Sequence, residues 1–298
     1  MGFSSMDELI QKITVDGQML RRDWNKNFLP TTAATAGEWH CLATGAGFPS
    51  AASIYNTGTN LAFQATSDST AGSGGMDHGG NVSPATKHII GASAGSAATT
   101  SCPAVLMLVD LLGFYRITSV TTTGAQTLNN TVTIPRYTDG KGVMAFAWNT
   151  QATAMGAATP TITLNYTNSD GVSGRTTPAV LPTCKTAAAN GLILYSGTGS
   201  GKYNPFMPLA AGDKGIRSVQ SLALSVSYVS GEFSLGLCKP ILTLPIPAIG
   251  VFTERDFVNS MPSLPKIEDG ANLIWLLYSG ANTPVATSYM GHLDIGWN

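Results

Sequence analysis

The chain has 298 residues and a mass of 30.9 kDa, room for one large all-β domain or two ordinary ones, each with a buried core. Only 11% of its residues are charged, 16 Lys and Arg against 17 Asp and Glu, less than half the usual share of about 25%. A pI near 6.4 with no basic run excludes a dedicated nucleic-acid binder, and so few charges are expected of a chain that hides much of its surface against partners.

At the start, Ser5-Met6-Asp7-Glu8 fits a capping box, Ser5 accepting from the third helical N–H and Glu8 reaching back to the Ser5 N–H. Leu9, Ile10, Ile13 and Leu20 repeat at helical spacing; Asp16-Gly17 interrupts the helix, and Met19 to Trp24 is expected to resume it. Arg21, Arg22 and Lys26 surround Trp24, either as a solvated helix end or as an arm that docks on a neighbouring subunit. Asp7-Glu8 stands where a secretory apolar region would begin, and Met6 where a myristoylation signal has Ser or Thr, so neither export nor lipidation is expected.

Between Asn27 and Thr86 there is no Lys or Arg, and the only charges are Glu38, Asp68 and Asp77. Ser67 to Gly80 and Gly91 to Thr100 are rich in Gly and Ser and read as long, mobile loops or extended arms. Residues 1–100 are therefore expected to form an N-terminal arm and Gly/Ser-rich extended region, and residues 101–298 a β-sandwich body. On this division, deleting residues 1–28 leaves a folded body.

Ser101 is placed to cap a second helix with Pro103 in its first turn, and Ala104 to Leu112, apolar nearly all round, predicts that this helix is buried. The run is too short to cross roughly 30 Å of hydrocarbon, so a soluble protein without membrane contact is expected. From Gly113 onward, β-branched and aromatic runs predict about nine strands: Tyr115–Thr122, Thr131–Pro135, Val143–Asn149, Thr161–Asn168, Gly191–Ser196, Ser218–Val229, Glu232–Cys238, Asn272–Ser279 and Val285–Leu293. Leu222, Leu224, Val226 and Tyr228 alternate with small polar residues, the period of a strand with one buried face. Asp139-Gly140, Asp170-Gly171 and Asn190-Gly191 are turn pairs. The three prolines of Pro240 to Pro247 predict an edge or crossing segment, and Thr253 to Asp256 a short capped turn of helix. The fold class is mainly β, a jelly-roll-like sandwich with a short N-terminal helical arm and one buried helix.

Chemical motifs are sparse. Gly91-Ala92-Ser93-Ala94-Gly95 matches the G-x-S-x-G pattern of a nucleophile elbow, but His88-Ile89-Ile90 is at best a short strand and only His292 follows to act as base. Gly197 to Lys202 has the wrong spacing for a phosphate loop, with Tyr203 where Ser or Thr should bind magnesium. Cys41, Cys102, Cys184 and Cys238 form no C-x-x-C pair and are expected as free thiols. His40, His78, His88 and His292 lack ligand spacing, and Asn168 to Gly171 reads as a hairpin tip rather than a calcium loop. No enzyme, cofactor or metal is expected.

Four stretches, PRYTDGKGV (Pro135–Val143), ITLNYTNSDGVSGR (Ile162–Arg175), SLGLCKPILTLPIPAIGVFTERDF (Ser234–Phe257) and GHLDIGW (Gly291–Trp297), resemble structural virion proteins of tailed bacteriophages, of the head-associated kind. The likeness covers roughly Pro103 to the C-terminus. It implies a head decoration or cement protein, a homotrimer that binds the major capsid protein and bridges its subunits, located in the virion capsid and in the host cytoplasm before assembly. A major capsid shell protein and a tail or neck protein are the alternatives. Arg21, Arg22, Trp24, Phe28, Trp39, Phe48 and Tyr55 are the candidate partner-binding residues, because aromatic side chains dominate interface hot spots and the arginines steer toward acidic partners.

Overall fold

The computed structural model describes residues 3–27, 36–151, 155–156, 158–179, 190–194, 204–260 and 264–298. In chain order the strands are β1 Met19–Asn27, β2 Glu38–Cys41, β3 Gly47–Phe48, β4 Phe63–Ala65, β5 Lys87–Gly95 and β6 Ala104–Ile117. Next come β7 Gly124–Thr127, β8 Met144–Asn149, β9 Ile162–Asn168, β10 Arg175–Thr176, β11 Ile216–Leu224 and β12 Phe233–Ile246. β13 Thr253–Asp256, β14 Lys266–Ile267, β15 Leu273–Ser279 and β16 Ser288–Trp297 complete them, with short helices α1 Met6–Ile10 and α2 Phe257–Ser260.

These strands form three antiparallel sheets in a sandwich. A central sheet runs β2-β15-β6-β12-β8, with β4 also on β6. Its two longest strands, β6 and β12, each have 14 residues, and the other two sheets pack side by side on one face of them. Leu106, Leu108, Leu242 and Leu244 meet Ile89, Ala92, Leu293 and Ile295 of the sheet β13-β5-β16-β1-β3. Leu112, Tyr115, Leu235 and Leu237 meet Leu164, Tyr166, Val219 and Leu222 of the sheet β10-β9-β11-β7. Pairing of β6 with β12 skips Leu112 and Ile241, and each bulge reverses the inward–outward alternation. That reversal keeps Leu235 and Leu244, or Leu108 and Tyr115, on one face although their parity differs.

Between the two cores lies a buried ion pair. Asp110, fully buried, receives Arg136 Nε at 2.8 Å and Nη2 at 2.7 Å on its two oxygens, and the Asn272 N–H at 2.9 Å. The other face of the central sheet is covered by a third cluster in which Tyr55 packs edge-on against Phe114 and Trp148. There Gly236 is required by close approach: a Cβ would stand 2.8 Å from the Trp148 ring.

Several local expectations are corrected. Ala104 to Leu112 is a strand, not a helix; its all-round apolarity reflects burial on both faces of a central sheet, and Ser101 Oγ donates to Ala98 O at 2.7 Å instead of capping. Met19 to Trp24 belongs to β1, which pairs with β16 along nine residues, so truncation at residue 28 would remove an interior strand. Gly91 to Gly95 lies in β5, and β1, β2, β4 and β5, all before residue 100, pair with strands after it. Ser67 to Gly80 is tied down by the Met76 N–H on Leu273 O (2.8 Å), Tyr55 Oη on Ser73 O (2.5 Å) and a buried chain from Lys87 Nζ to His78 Nδ1 (2.6 Å). Thr253 to Asp256 is β13, and the helix starts one residue later, capped by Asp256 Oδ1 accepting from Val258 N–H at 2.9 Å.

Other expectations hold. Ser5 caps α1, accepting from the Glu8 N–H at 3.1 Å, although Glu8 reaches back to Ser4 rather than Ser5. Gly140, Gly171 and Gly191 take positive φ in their turns. Pro240 and Pro245 sit in β12 beyond Cys238, where its pairing with β8 stops and among the described residues only β6 flanks it, so that half of the strand is an edge. Thr131 to Pro135 forms no strand, and β11 ends at Leu224, leaving Val226 exposed. Cys41 and Cys238 are buried free thiols; burial pushes Cys41 up to about 12, so it stays protonated. Gly197 to Lys202 and Cys184 lie outside the described residues.

Candidate groove on the outer sheet face

Alternation along β1, β5 and β16 sends Trp24, Ala92, Ala94, Leu293 and Ile295 into the core and the intervening residues outward. Register then assembles three rows across the outer face. One row runs Gly95, Met290, Asn25, Phe48; the next Glu254, Ser93, His292, Asp23; the third Asp256, Gly91, Asp294, Arg21. Phe252, just before β13, lays its ring over Gly95, where a Cβ would come within 2.7 Å of it. The result is a groove of about 550 Å³ floored by Ser93, His292 and Met290 and walled by Phe48 and Phe252. Both phenylalanines are exposed, Phe48 at 61% and Phe252 at 48%. A second depression of about 340 Å³, which also contains Glu254 and His292, continues it toward Asp294 and Arg255.

The floor brings Ser93, His292 and Asp294 together. Ser93 Oγ lies 2.6 Å from His292 Nδ1, and Nε2 lies 3.5 Å from Asp294 Oδ2. Arg21 Nη2 is also 2.7 Å from Nδ1; a guanidinium can only donate, so Nδ1 accepts and the ring proton sits on Nε2, toward Asp294. This resembles an acyl-transfer triad only in composition. The Nδ1 lone pair is occupied by Arg21, Ser93 Oγ accepts the His292 N–H at 3.2 Å, and Ser93 is mid-strand with ladders on both sides. Backbone donors that would hold an oxyanion are thereby committed to the sheet. The geometry is that of a polar binding floor. Glu254 has no partner among the described residues, and Asp294 Oδ1 is shielded from water and unpaired.

The residues expected to bind partners separate sharply. Trp24, Trp39 and Tyr55 are interior: Trp24 packs on Trp275 with centroids 4.8 Å apart, Trp39 on Tyr278 at 5.4 Å, and all three are at most 5% exposed. Arg22 points to the other face, where it pairs with Asp77 at 2.5 Å. Arg21 and Phe48 reach the groove, which β1 also lines at Trp24, and Phe28 lies outside the described residues. Sequence reasoning missed Asn25, Phe252, Glu254, Met290 and Asp294, which carry no local motif and meet only through strand register.

Lys26, next to the groove on the buried side of β1, holds its ammonium against the carbonyls of Gly45 (2.7 Å), Pro49 (2.9 Å) and Ser50 (3.3 Å). Burial lowers its pKa to about 8. Among the described residues no group of three His, Cys, Asp or Glu side chains could share a metal ion, and no helix is long and apolar enough to cross a membrane.

No protein family and no curated protein matches the chain. Among solved structures, the VP2 subviral particle of infectious bursal disease virus aligns over 94% of this chain and 81% of that one, at 9% identity and a TM-score of 0.16.

Proposed function

We propose that the chain is a structural component of a virus particle, a decoration or cement protein of a phage head that binds the major capsid protein and bridges its subunits as a homotrimer. In this reading it acts by contact rather than catalysis. The observation that supports it best is the N-terminal helix. α1 and the turn after it bury Leu9 on their own chain while Met6, Ile10 and Val15 stand 51%, 52% and 69% exposed, an apolar stripe that lacks a cover among the described residues. The sparse charge of the whole sequence agrees with a surface meant for partners.

Cryo-microscopy of intact particles tests the location: density for this chain over the capsid shell is expected, whereas density forming the shell itself or the tail would replace the reading. Deletion of residues 1–16, which stops short of β1, tests the contact. The truncated chain is expected to fold and yet leave particles less resistant to heat; full resistance would remove α1 from the mechanism.

A further inference from the structure

We propose that the groove between Phe48 and Phe252 is a binding site for an uncharged oligosaccharide, a role independent of the virion reading. A pyranose ring combines an apolar C–H face, which lies flat on an aromatic ring, with a rim of hydroxyls that both donate and accept. The groove supplies both complements. Phe48 and Phe252 stand exposed on either side, separated by the three strand spacings from Gly95 through Met290 and Asn25, roughly 14 Å. That distance suits two rings of one chain with further rings between them.

The floor between the walls carries Met290 together with polar groups that are held in place. His292 is held by Arg21 and Ser93 (2.7 and 2.6 Å), and Asn25 Oδ1 accepts the Phe48 N–H at 2.8 Å, which orients the amide and ties it to the aromatic wall. The Glu254 carboxylate, exposed and without a partner among the described residues, is the acceptor offered to sugar hydroxyls. Strand backbones carry all these groups except Phe252, and the bare Gly95 surface seats that ring. Charge selects the occupant: Asp23, Glu254, Asp256 and Asp294 outnumber Arg21 and Arg255 along the trough, so an anionic glycan is repelled and a neutral one is not.

The test is calorimetry and saturation-transfer NMR on the full purified chain with chitohexaose, cellohexaose and maltohexaose, and with oligogalacturonate as the anionic control. At least one neutral oligosaccharide is expected to bind saturably and the anionic one not at all. Phe48→Ala and Phe252→Ala, both at exposed positions, should each weaken binding about tenfold without changing the melting temperature. Glu254→Gln should weaken it while leaving the fold intact. Absence of binding by all three neutral probes at millimolar concentration, binding insensitive to both phenylalanine variants, or preference for the anionic probe would overturn the proposal. So would self-association in sedimentation that Phe48→Ala and Phe252→Ala abolish, which would make the groove a contact between copies of the chain.

Discussion

Replacing Arg136 by Met tests how the two cores are joined. The substitution keeps an apolar stem but removes both donors to Asp110, leaving a fully buried carboxylate with the Asn272 N–H as its remaining partner. It also takes the 3.1 Å donor from Thr66 O, while Leu111 O keeps the Thr66 hydroxyl at 2.5 Å. Breaking a buried pair from one side costs about 3–5 kcal/mol, and an orphaned buried carbonyl adds about 1 kcal/mol, so a loss of roughly 4–6 kcal/mol is expected. The double variant Asp110→Leu/Arg136→Met removes the stranded charge and leaves only the Asn272 N–H and Thr66 carbonyl unpaired, so its loss should fall to about 2–3 kcal/mol. Guanidinium denaturation followed by near-ultraviolet dichroism, with the denaturant slope checked for constancy, measures both. A single-variant loss below about 1 kcal/mol, or a double variant no better than the single, would refute the assignment of this pair as the strut between the cores.

The remaining predictions address other parts of the structure. Because the Lys26 pKa falls from 10.5 to about 8 on folding, the folded chain binds fewer protons between those values. The Lys26 contribution to stability should therefore rise with pH from about 8 to 10, so that in paired melting curves the chain gains over Lys26→Met across that window. Gly236→Ala places a methyl 2.8 Å from Trp148 and 3.0 Å from Phe146 and should destabilise by about 1–3 kcal/mol in chemical denaturation. Trp24→Ala, in the core, should cost about 3–5 kcal/mol, whereas Phe48→Ala at the groove wall should stay within about 0.5 kcal/mol. Equal losses for the two would contradict their assigned places. Asp77→Asn, which breaks the partly exposed contact to Arg22, should change the unfolding free energy by no more than about 1 kcal/mol.

Much of the secondary structure could be read locally. The Ser5 cap of α1, the turn glycines at 140 and 171, and the strands over 144–149, 162–168 and 273–279 follow from side-chain oxygens near free N–H groups, from tolerance of positive φ, and from β-branched runs. Misreadings have two sources. Ala104 to Leu112, buried on both faces, has no polar side to set a period, so periodicity cannot separate helix from interior strand, and Gly91 to Gly95 is built of Gly, Ala and Ser, a composition that reads as loop. The bulges at Leu112 and Ile241 blur the period further by reversing it within a single strand.

Of the groove, Arg21, Trp24 and Phe48 were singled out from the sequence for general reasons of charge and aromaticity, and Ser93 and His292 through a nucleophile-elbow match that the strand context rejects. Its floor draws on residues 23–25, 93, 254 and 290–294, which lie far apart along the chain and become neighbours through hydrogen-bond register. Likewise, nothing local told Trp24 and Trp39 in the core from Phe48 at the surface. The amino-acid sequence by itself determined a charge-poor, strand-forming chain with defined turns, because those properties reside in single residues and their near neighbours. Tertiary structure alone decided which aromatic rings are interior, which carboxylates face a cleft, and that Asp110 must meet Arg136, because these depend on which strand lies beside which.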